Sequence, residues 1–437
     1  MRTSKPRDSR IGRTVIKISS FYLLNVPLVL LSSIILARLL GPEDYGRYSY
    51  VLSLVSIISL PLVAGFPQYL TRSIATSVQA KNWSEYKGLV IFSVGFVTSC
   101  GILFYLVSFI LGRVVSSPES DGDLSFLLSI ALLALPLNGL IAVLTGVLRG
   151  EARPETPEFS KKLLQPLLLL LLLVSVWFVD FLNLMVVLWI QVAISLVLFI
   201  FLFAKTILHS SLRGTHSIRP EFKVASWFAG IGPFMLIGVF TTFSAEIGIL
   251  MLGSMSDDSD VAALRVAQRA AGFIALPLAV MNPVLSPKVV QFYKCNDTVS
   301  MQSMLREFTR KAFVFAFSLG VILALFGENL LSIAYGAEYS VIAYMPMLVL
   351  VFSNICNVAF GSVGMVLSMT GYERITLLGQ LIGLSTTAVA GFIFIPSYGS
   401  VGAAGAMLAG TFSWNLFLSI QVKKRLGVSF GASKSYK

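Results

Sequence analysis

The sequence is poor in charge, cysteine and histidine, and each scarcity excludes something. Only 12% of its 437 residues are Asp, Glu, Lys or Arg, against roughly 25% in a soluble globular domain. A water-soluble enzyme is excluded. Three cysteines do not make a disulfide framework, since Cys100 and Cys356 fall in apolar runs and Cys295 in a polar loop. Free thiols are expected. The two histidines, His209 and His216, share one polar loop with no carboxylate or cysteine cluster beside them, which reads as a solvated loop and not as a metal site. No metal and no cofactor are expected.

What is present is apolar: 56% of the residues are hydrophobic and the mean hydropathy is +0.83. They arrive in runs of roughly 17 to 28 residues, long enough to cross a hydrocarbon layer of about 30 Å. The runs are continuous, not alternating, so the spans are expected to be helices and not barrel strands. The chain reads as an all-α integral membrane protein. Met1 to Lys17 is basic and leads into an apolar run, as a signal sequence does, but the run is too long for a signal core and lacks a small-residue cleavage site. It is read as a retained first span.

Hydropathy places twelve spans, near 15–37, 48–69, 88–112, 124–148, 163–179, 182–204, 226–252, 261–287, 312–334, 341–368, 375–395 and 401–422. Asp180 and Phe181 form the tight turn between the fifth and the sixth. The net charge of +12 would suggest nucleic acid in a soluble protein; here it reports topology, and no nucleic-acid partner is expected. Of the 33 Lys and Arg, 28 fall on the amino-terminal side of the membrane, leaving only Arg38, Arg47, Arg113, Arg265 and Arg269 for the other face or the membrane itself. Positive loops stay inside. Both termini are therefore expected in the cytoplasm. The opposite segments, Gly41 to Arg47, Arg113 to Asp123 and Gly253 to Asp260, are short and leave no room for an extramembrane catalytic domain.

The two halves echo each other. Leu60, Pro61, Leu62 with Pro67 matches Leu276, Pro277, Leu278 with Pro283, and Leu40, Gly41 matches Leu252, Gly253, at nearly constant spacing. Gly150 and Glu151 likewise pair with Gly371 and Glu373, and Lys205 with Lys423. Two six-helix bundles, 1–212 and 213–437, related by a pseudo-twofold axis around a central cavity, are expected. Such a pair suits alternating access, so a transporter leads. The competing class is a membrane-embedded enzyme such as a glycan polymerase or ligase, which would need a catalytic constellation at the outer face, and no carboxylate pair, Ser/His pair or metal cluster is read as one there.

Charges inside spans are costly, about 2.5 to 3.5 kcal/mol for Arg at mid-bilayer on insertion scales. Arg265 and Arg269 lie four apart on one face of span eight, about 7 Å and 13 Å in from the acidic 253–260 segment. Two guanidinium forks one turn apart suit a diphosphate; the alternative is that they pair with neighbouring carboxylates. Glu246, at a depth close to Arg265, could hold the arginines or carry a proton or cation. The ungapped first-half counterparts of the arginines are Ser49 and Ser53. Arg38 lies near the outer mouth and could face the cavity, whereas Arg47 reads as snorkelling to the interface. Prolines at 27, 61, 67, 136, 166, 233, 277 and 283 read mostly as kinks, and Gly402, Gly405, Ala406 and Gly410 as a face for close helix packing.

The run Ala37, Arg38, Leu39, Leu40, Gly41, Pro42, Glu43, Asp44, Tyr45, Gly46 resembles the opening signature of the polysaccharide-transport family. Tyr335, Gly336, Ala337, Glu338, Tyr339 resembles its second signature, and Tyr398 to Ala406 its last-helix motif. That family contains the Wzx-type O-antigen flippases and belongs to the superfamily of multidrug, oligosaccharidyl-lipid and polysaccharide exporters. The resemblance implies a twelve-helix fold that moves undecaprenyl-diphosphate-linked oligosaccharide from the cytoplasmic to the periplasmic leaflet of a bacterial inner membrane. It also implies a cationic lumen, which Arg265 and Arg269 would supply, and a polysaccharide polymerase and chain-length regulator as partners. Lipid II flippases of the superfamily carry two extra helices, and with twelve spans expected here that subgroup is disfavoured. Cation-coupled drug exporters would favour an acidic cavity; the arginines argue against them and Glu246 keeps them as the runner-up.

Overall fold

The computed structural model describes residues 5–115, 124–177, 183–209 and 218–427, and among these every regular element is helical. The first part of the chain runs through α1 (Lys5–Ile58), α2 (Leu60–Val63), α3 (Phe66–Gln79), α4 (Trp83–Val115), α5 (Leu124–Leu132) and α6 (Ala134–Gly150). Next come α7 (Glu155–Phe159), a π-helical turn (Ser160–Leu164), α8 (Gln165–Trp177) and α9 (Leu184–His209). The second part holds α10 (Val224–Met255), α11 (Asp258–Ala271), a 3-10 turn (Gly272–Ala275), α12 (Leu276–Lys294), α13 (Thr298–Tyr335), α14 (Ala337–Phe360), α15 (Val363–Met369) and α16 (Glu373–Leu426).

Ten helical stretches among the described residues are long and apolar enough to cross a membrane. Two of them, Ser20–Ile58 and Glu373–Leu426, have 39 and 54 residues, whereas one crossing needs about 20. Each is broken at a single glycine, Gly41 (φ 75°, ψ 173°) or Gly399 (φ 50°, ψ −127°). Only glycine takes such angles without strain. Breaking the two stretches there gives twelve passes. The break at Gly41 is sharpened by Pro42, whose ring presets the helical φ and whose missing N–H would have had no partner.

The passes are longer than hydropathy suggests, and two expected loops nearly vanish. Residues 42–47 are helical, as are 253–255 and 258–260, leaving Gly41 at one end and Ser256 with Asp257 at the other as the turns. Polar residues extend these helices beyond the apolar run, so a hydropathy window trims them. The expected turn at Asp180 and Phe181, the loop holding His216 and most of the 113–123 segment lie outside the described residues.

The chain divides into two compact units, one of Met1–Leu40 with Val51–Val239 and one of Gly41–Tyr50 with Phe240–Lys437. The expected boundary between 212 and 213 lies outside the described residues. In the first unit α6 is central, touching α3, α4 and α9. Its glycines permit this: a Cβ on Gly139 would come within 2.3 Å of Val97, and one on Gly146 within 2.7 Å of Leu70. In the second unit α14 is central, touching α11, α13 and α16. The two arms of α16 meet where a Cβ on Gly410 would lie 1.9 Å from Thr387 Oγ1, the close packing that small residues allow in lipid.

Prolines 61 and 277 sit in the first turns of α2 and α12. Each follows an interruption, a break after Ile58 in one case and the 3-10 turn Gly272–Ala275 in the other. The Leu-Pro-Leu echo in the sequence thus marks the same device, a proline restarting a bent helix inside a pass.

Candidate functional site

The second unit holds most of the residues that stand out in the sequence. Its 41–50 segment packs on the start of α11, where a Cβ on Gly46 would lie 1.8 Å from the Asp258 carbonyl oxygen. A Cβ on Gly253 would likewise lie 2.3 Å from the Tyr50 ring. At that close approach Arg47 Nε donates to Asp258 Oδ2 at 2.7 Å, with Asp44 at 3.9 Å. Where snorkelling is expected of Arg47, the structure has an ion pair, because the missing side chain at Gly46 brings the Asp258 carboxylate within reach.

Asp260, one half-turn on, secures the other broken helix. Its Oδ1 accepts the Ser400 N–H at 3.2 Å and its Oδ2 accepts the Ser256 hydroxyl. A Cβ on Gly399 would meet Asp260 Oδ2 at 2.4 Å, so glycine is required there by both angle and space. Nearby, the Tyr45 ring lies edge-on to Tyr339 at 6.3 Å, and Tyr339 lies 6.0 Å from Tyr335. The three sequence signatures are therefore parts of one assembly, in which Tyr45 and Gly46, Tyr335 and Tyr339, and Gly399 and Ser400 connect through each other and the 258–260 turn. Asp258 and Asp260 also place negative charge in the first turn of α11, where the helix dipole favours it.

From that secured end α11 carries both arginines. Arg265 Nη2 donates to Glu246 Oε2 of α10 at 2.9 Å and to the Ser49 carbonyl at 3.4 Å, while Nη1 reaches Gln268 Oε1 at 3.5 Å. The Arg265 and Glu246 side chains are 15% and 19% exposed, so most of both charges is out of water and depends on the other. Gln268 in turn contacts Met407 Sδ at 3.5 Å. Arg269, one turn further, is exposed and has no ion pair or hydrogen bond among the described residues. The two forks are thus unlike: Arg265 is held, and Arg269 is open. An exposed guanidinium next to a neutralised one can take an anion with two parallel hydrogen bonds. Arg38 is exposed and belongs to the first unit.

Polar cross-links that the sequence reading passes over lie in the same unit. Ser362 donates to Asn282 Oδ1 at 2.5 Å, Asn415 Nδ2 to Asn357 Oδ1 at 2.9 Å, and Asn354 Nδ2 to the Ala271 carbonyl at 3.2 Å. Their signal was four asparagines in otherwise apolar passes. In lipid such groups find one another because no water offers an alternative.

Solved structures share the fold: an inward-facing multidrug resistance MATE family transporter of the MOP superfamily superposes with a TM-score of 0.75 at 13% identity, covering 95% of this chain and 98% of that one. The lipid II flippase MurJ in an inward closed conformation gives 0.69 at 14% identity, covering 93% and 87%. A MOP superfamily transporter from Pyrococcus furiosus, with a binding pocket of reversed polarity, gives 0.63 at 13% identity and 95% of both chains. Among curated protein sequences no match is found. Residues 11–292 match the polysaccharide biosynthesis protein family, and the chain belongs to that family.

Proposed function

We propose that the protein is a flippase for an undecaprenyl-diphosphate-linked oligosaccharide, an O-antigen or related repeat unit, moving it from the cytoplasmic to the periplasmic leaflet of a bacterial inner membrane. It works by alternating access and catalyses no covalent step. The observation that carries the reading is the inequality of the two arginines: Glu246 neutralises and fixes Arg265, while Arg269 keeps its charge exposed on the same helix. An exposed cation within a pass needs an anionic cargo to offset it.

In this reading Arg269 forms the principal contact with the diphosphate. Arg265, one turn away, adds positive charge beside it, and Arg38 is proposed as a further contact for the substrate. The apolar lipid tail stays in the bilayer and the sugars cross beside the helices. Membership of the polysaccharide biosynthesis family supports a glycan cargo, and the likeness to a lipid II flippase supports a lipid-linked one. A polymerase and a chain-length regulator would receive the product.

A cation-coupled drug exporter is the second reading, favoured by the carboxylate of Glu246 and by the fold shared with a multidrug transporter. Against it, Glu246 is already committed to Arg265 at 2.9 Å. Proteoliposomes decide between them. The flippase reading expects undecaprenyl-diphosphate-linked oligosaccharide to become accessible on the opposite leaflet and a lipophilic cationic dye to stay put. Dye movement without glycolipid movement would overturn it.

A further inference from the structure

A second cluster of charge lies in the first unit, on residues that the site above does not use. Arg149, in the last turn of α6, pairs with Glu158 of α7, whose side chain is only 9% exposed. Tyr22 of α1 lies within electrostatic reach of the same carboxylate. Immediately after Glu158 the helix widens into the π turn Ser160–Leu164, which carries Lys161 and Lys162. Such turns cost regular hydrogen bonding and are found mostly where function keeps them.

The widened turn is held from the first pass. Asn25 Nδ2 donates to the Lys162 carbonyl at 2.9 Å, and the Lys162 ammonium lies 4.4 Å from the centre of the Tyr22 ring. Lysines that only anchored a helix at the interface would extend toward lipid headgroups; Lys162 instead folds over an aromatic ring of another helix. Lys161 is exposed, within electrostatic reach of Lys162, Arg149 and Glu158, and has no ion pair or hydrogen bond among the described residues. Three cations thus gather near one carboxylate that is already paired. Two positive charges are left over, enough to offset the one negative charge of a phosphodiester or the two of a diphosphate esterified at both ends.

We infer that Arg149, Lys161 and Lys162, with Tyr22 beside them, form a binding site for the phosphate headgroup of a lipid, separate from Arg269. Lys161 and Lys162 donate to the phosphate oxygens, and Arg149 is held by Glu158 as a fixed positive wall. The headgroup has two sources to distinguish, the diphosphate of the transported lipid and the single phosphodiester of an anionic phospholipid. For the first source the inference rests on the flippase reading and gives the cargo a docking place before it reaches Arg269.

The test uses the full chain, purified and placed in phosphatidylcholine nanodiscs, with undecaprenyl diphosphate or phosphatidylglycerol titrated as separate probes. It is run in the Arg269→Gln background, so that binding reports the first-unit cluster alone. K161Q/K162Q should weaken undecaprenyl diphosphate binding by about tenfold or more, the loss expected for charge-assisted hydrogen bonds, while K161R/K162R retains most of it. Loss of phosphatidylglycerol binding alone would assign the same site to the phospholipid headgroup. Equal binding of both lipids by K161Q/K162Q and its parent, with matching elution on size exclusion, would overturn the inference. Absence of glycolipid movement by the wild-type protein in proteoliposomes would instead strike the flippase reading and leave this binding result standing.

Discussion

Glu246 and Arg265 lie on consecutive helices and meet at 2.9 Å with less than a fifth of either side chain exposed. Removing one member of such a pair strands the other. Glu246→Gln should therefore destabilise the protein by about 3 to 5 kcal/mol, read as a lower thermal midpoint in detergent, while the double change Glu246→Gln with Arg265→Gln recovers much of the loss. Equal midpoints for wild type and Glu246→Gln would show that the pair is structurally idle.

The turn that starts α11 makes a different prediction, because spacing there matters more than charge. Arg47 and Asp258 are 40% and 33% exposed, and a pair that wet is worth at most about 1 kcal/mol. Arg47→Ala should be mild. Gly46→Ala and Gly399→Ala should be severe, since each added methyl would lie 1.8 Å from the Asp258 carbonyl or 2.4 Å from the Asp260 carboxylate. Folded yield on size exclusion ranks the three variants, and an Arg47→Ala loss as large as that of Gly46→Ala would contradict this order.

Much of this was legible in the sequence for simple reasons. Uninterrupted apolar runs can only be helices in lipid, so the passes emerge from length alone. The echo of Leu60, Pro61, Leu62 in Leu276, Pro277, Leu278 marked true bends, and the tight runs around Gly41 and Gly399 marked true breaks. What was hidden depends on tertiary approach. Nothing local reveals that Asp260 serves Ser400, 140 residues away, or that a glycine at 46 lets Arg47 reach Asp258. The spacing of Arg265 and Arg269 was plain, but which of them a carboxylate would occupy was not, since Glu246 lies on another helix.

Asp297 contributes to acid sensitivity from outside the passes. It caps α13 by accepting the Ser300 N–H at 2.9 Å, and the Ser300 hydroxyl first and this N–H second hold its carboxyl below the usual range. The stabilisation is present above the unfolded pKa of Asp and is lost as pH falls through the lower folded value. Asn keeps an acceptor oxygen and does not titrate. Asp297→Asn should leave the midpoint near wild type at neutral pH and flatten its decline in acid; an unchanged acid decline would exclude the cap as its source.

Orientation is tested by labelling in intact cells, on a background with Cys100, Cys295 and Cys356 replaced. With 28 of 33 basic residues on the amino-terminal side, a cysteine placed at Ser117 should react with an impermeant thiol reagent and one at His209 should not. The reverse pattern would invert the topology and, with it, the direction of transport.

The central claim is that Arg269 meets the diphosphate of the cargo, and glycan export by Arg269 variants measures it most directly. Arg269→Ala should abolish surface glycan and build up the lipid-linked intermediate while the protein stays in the membrane at normal abundance. Arg269→Lys should fall between, because an ammonium keeps the charge and loses the fork. Full surface glycan from cells carrying Arg265→Ala with Arg269→Ala would contradict the account.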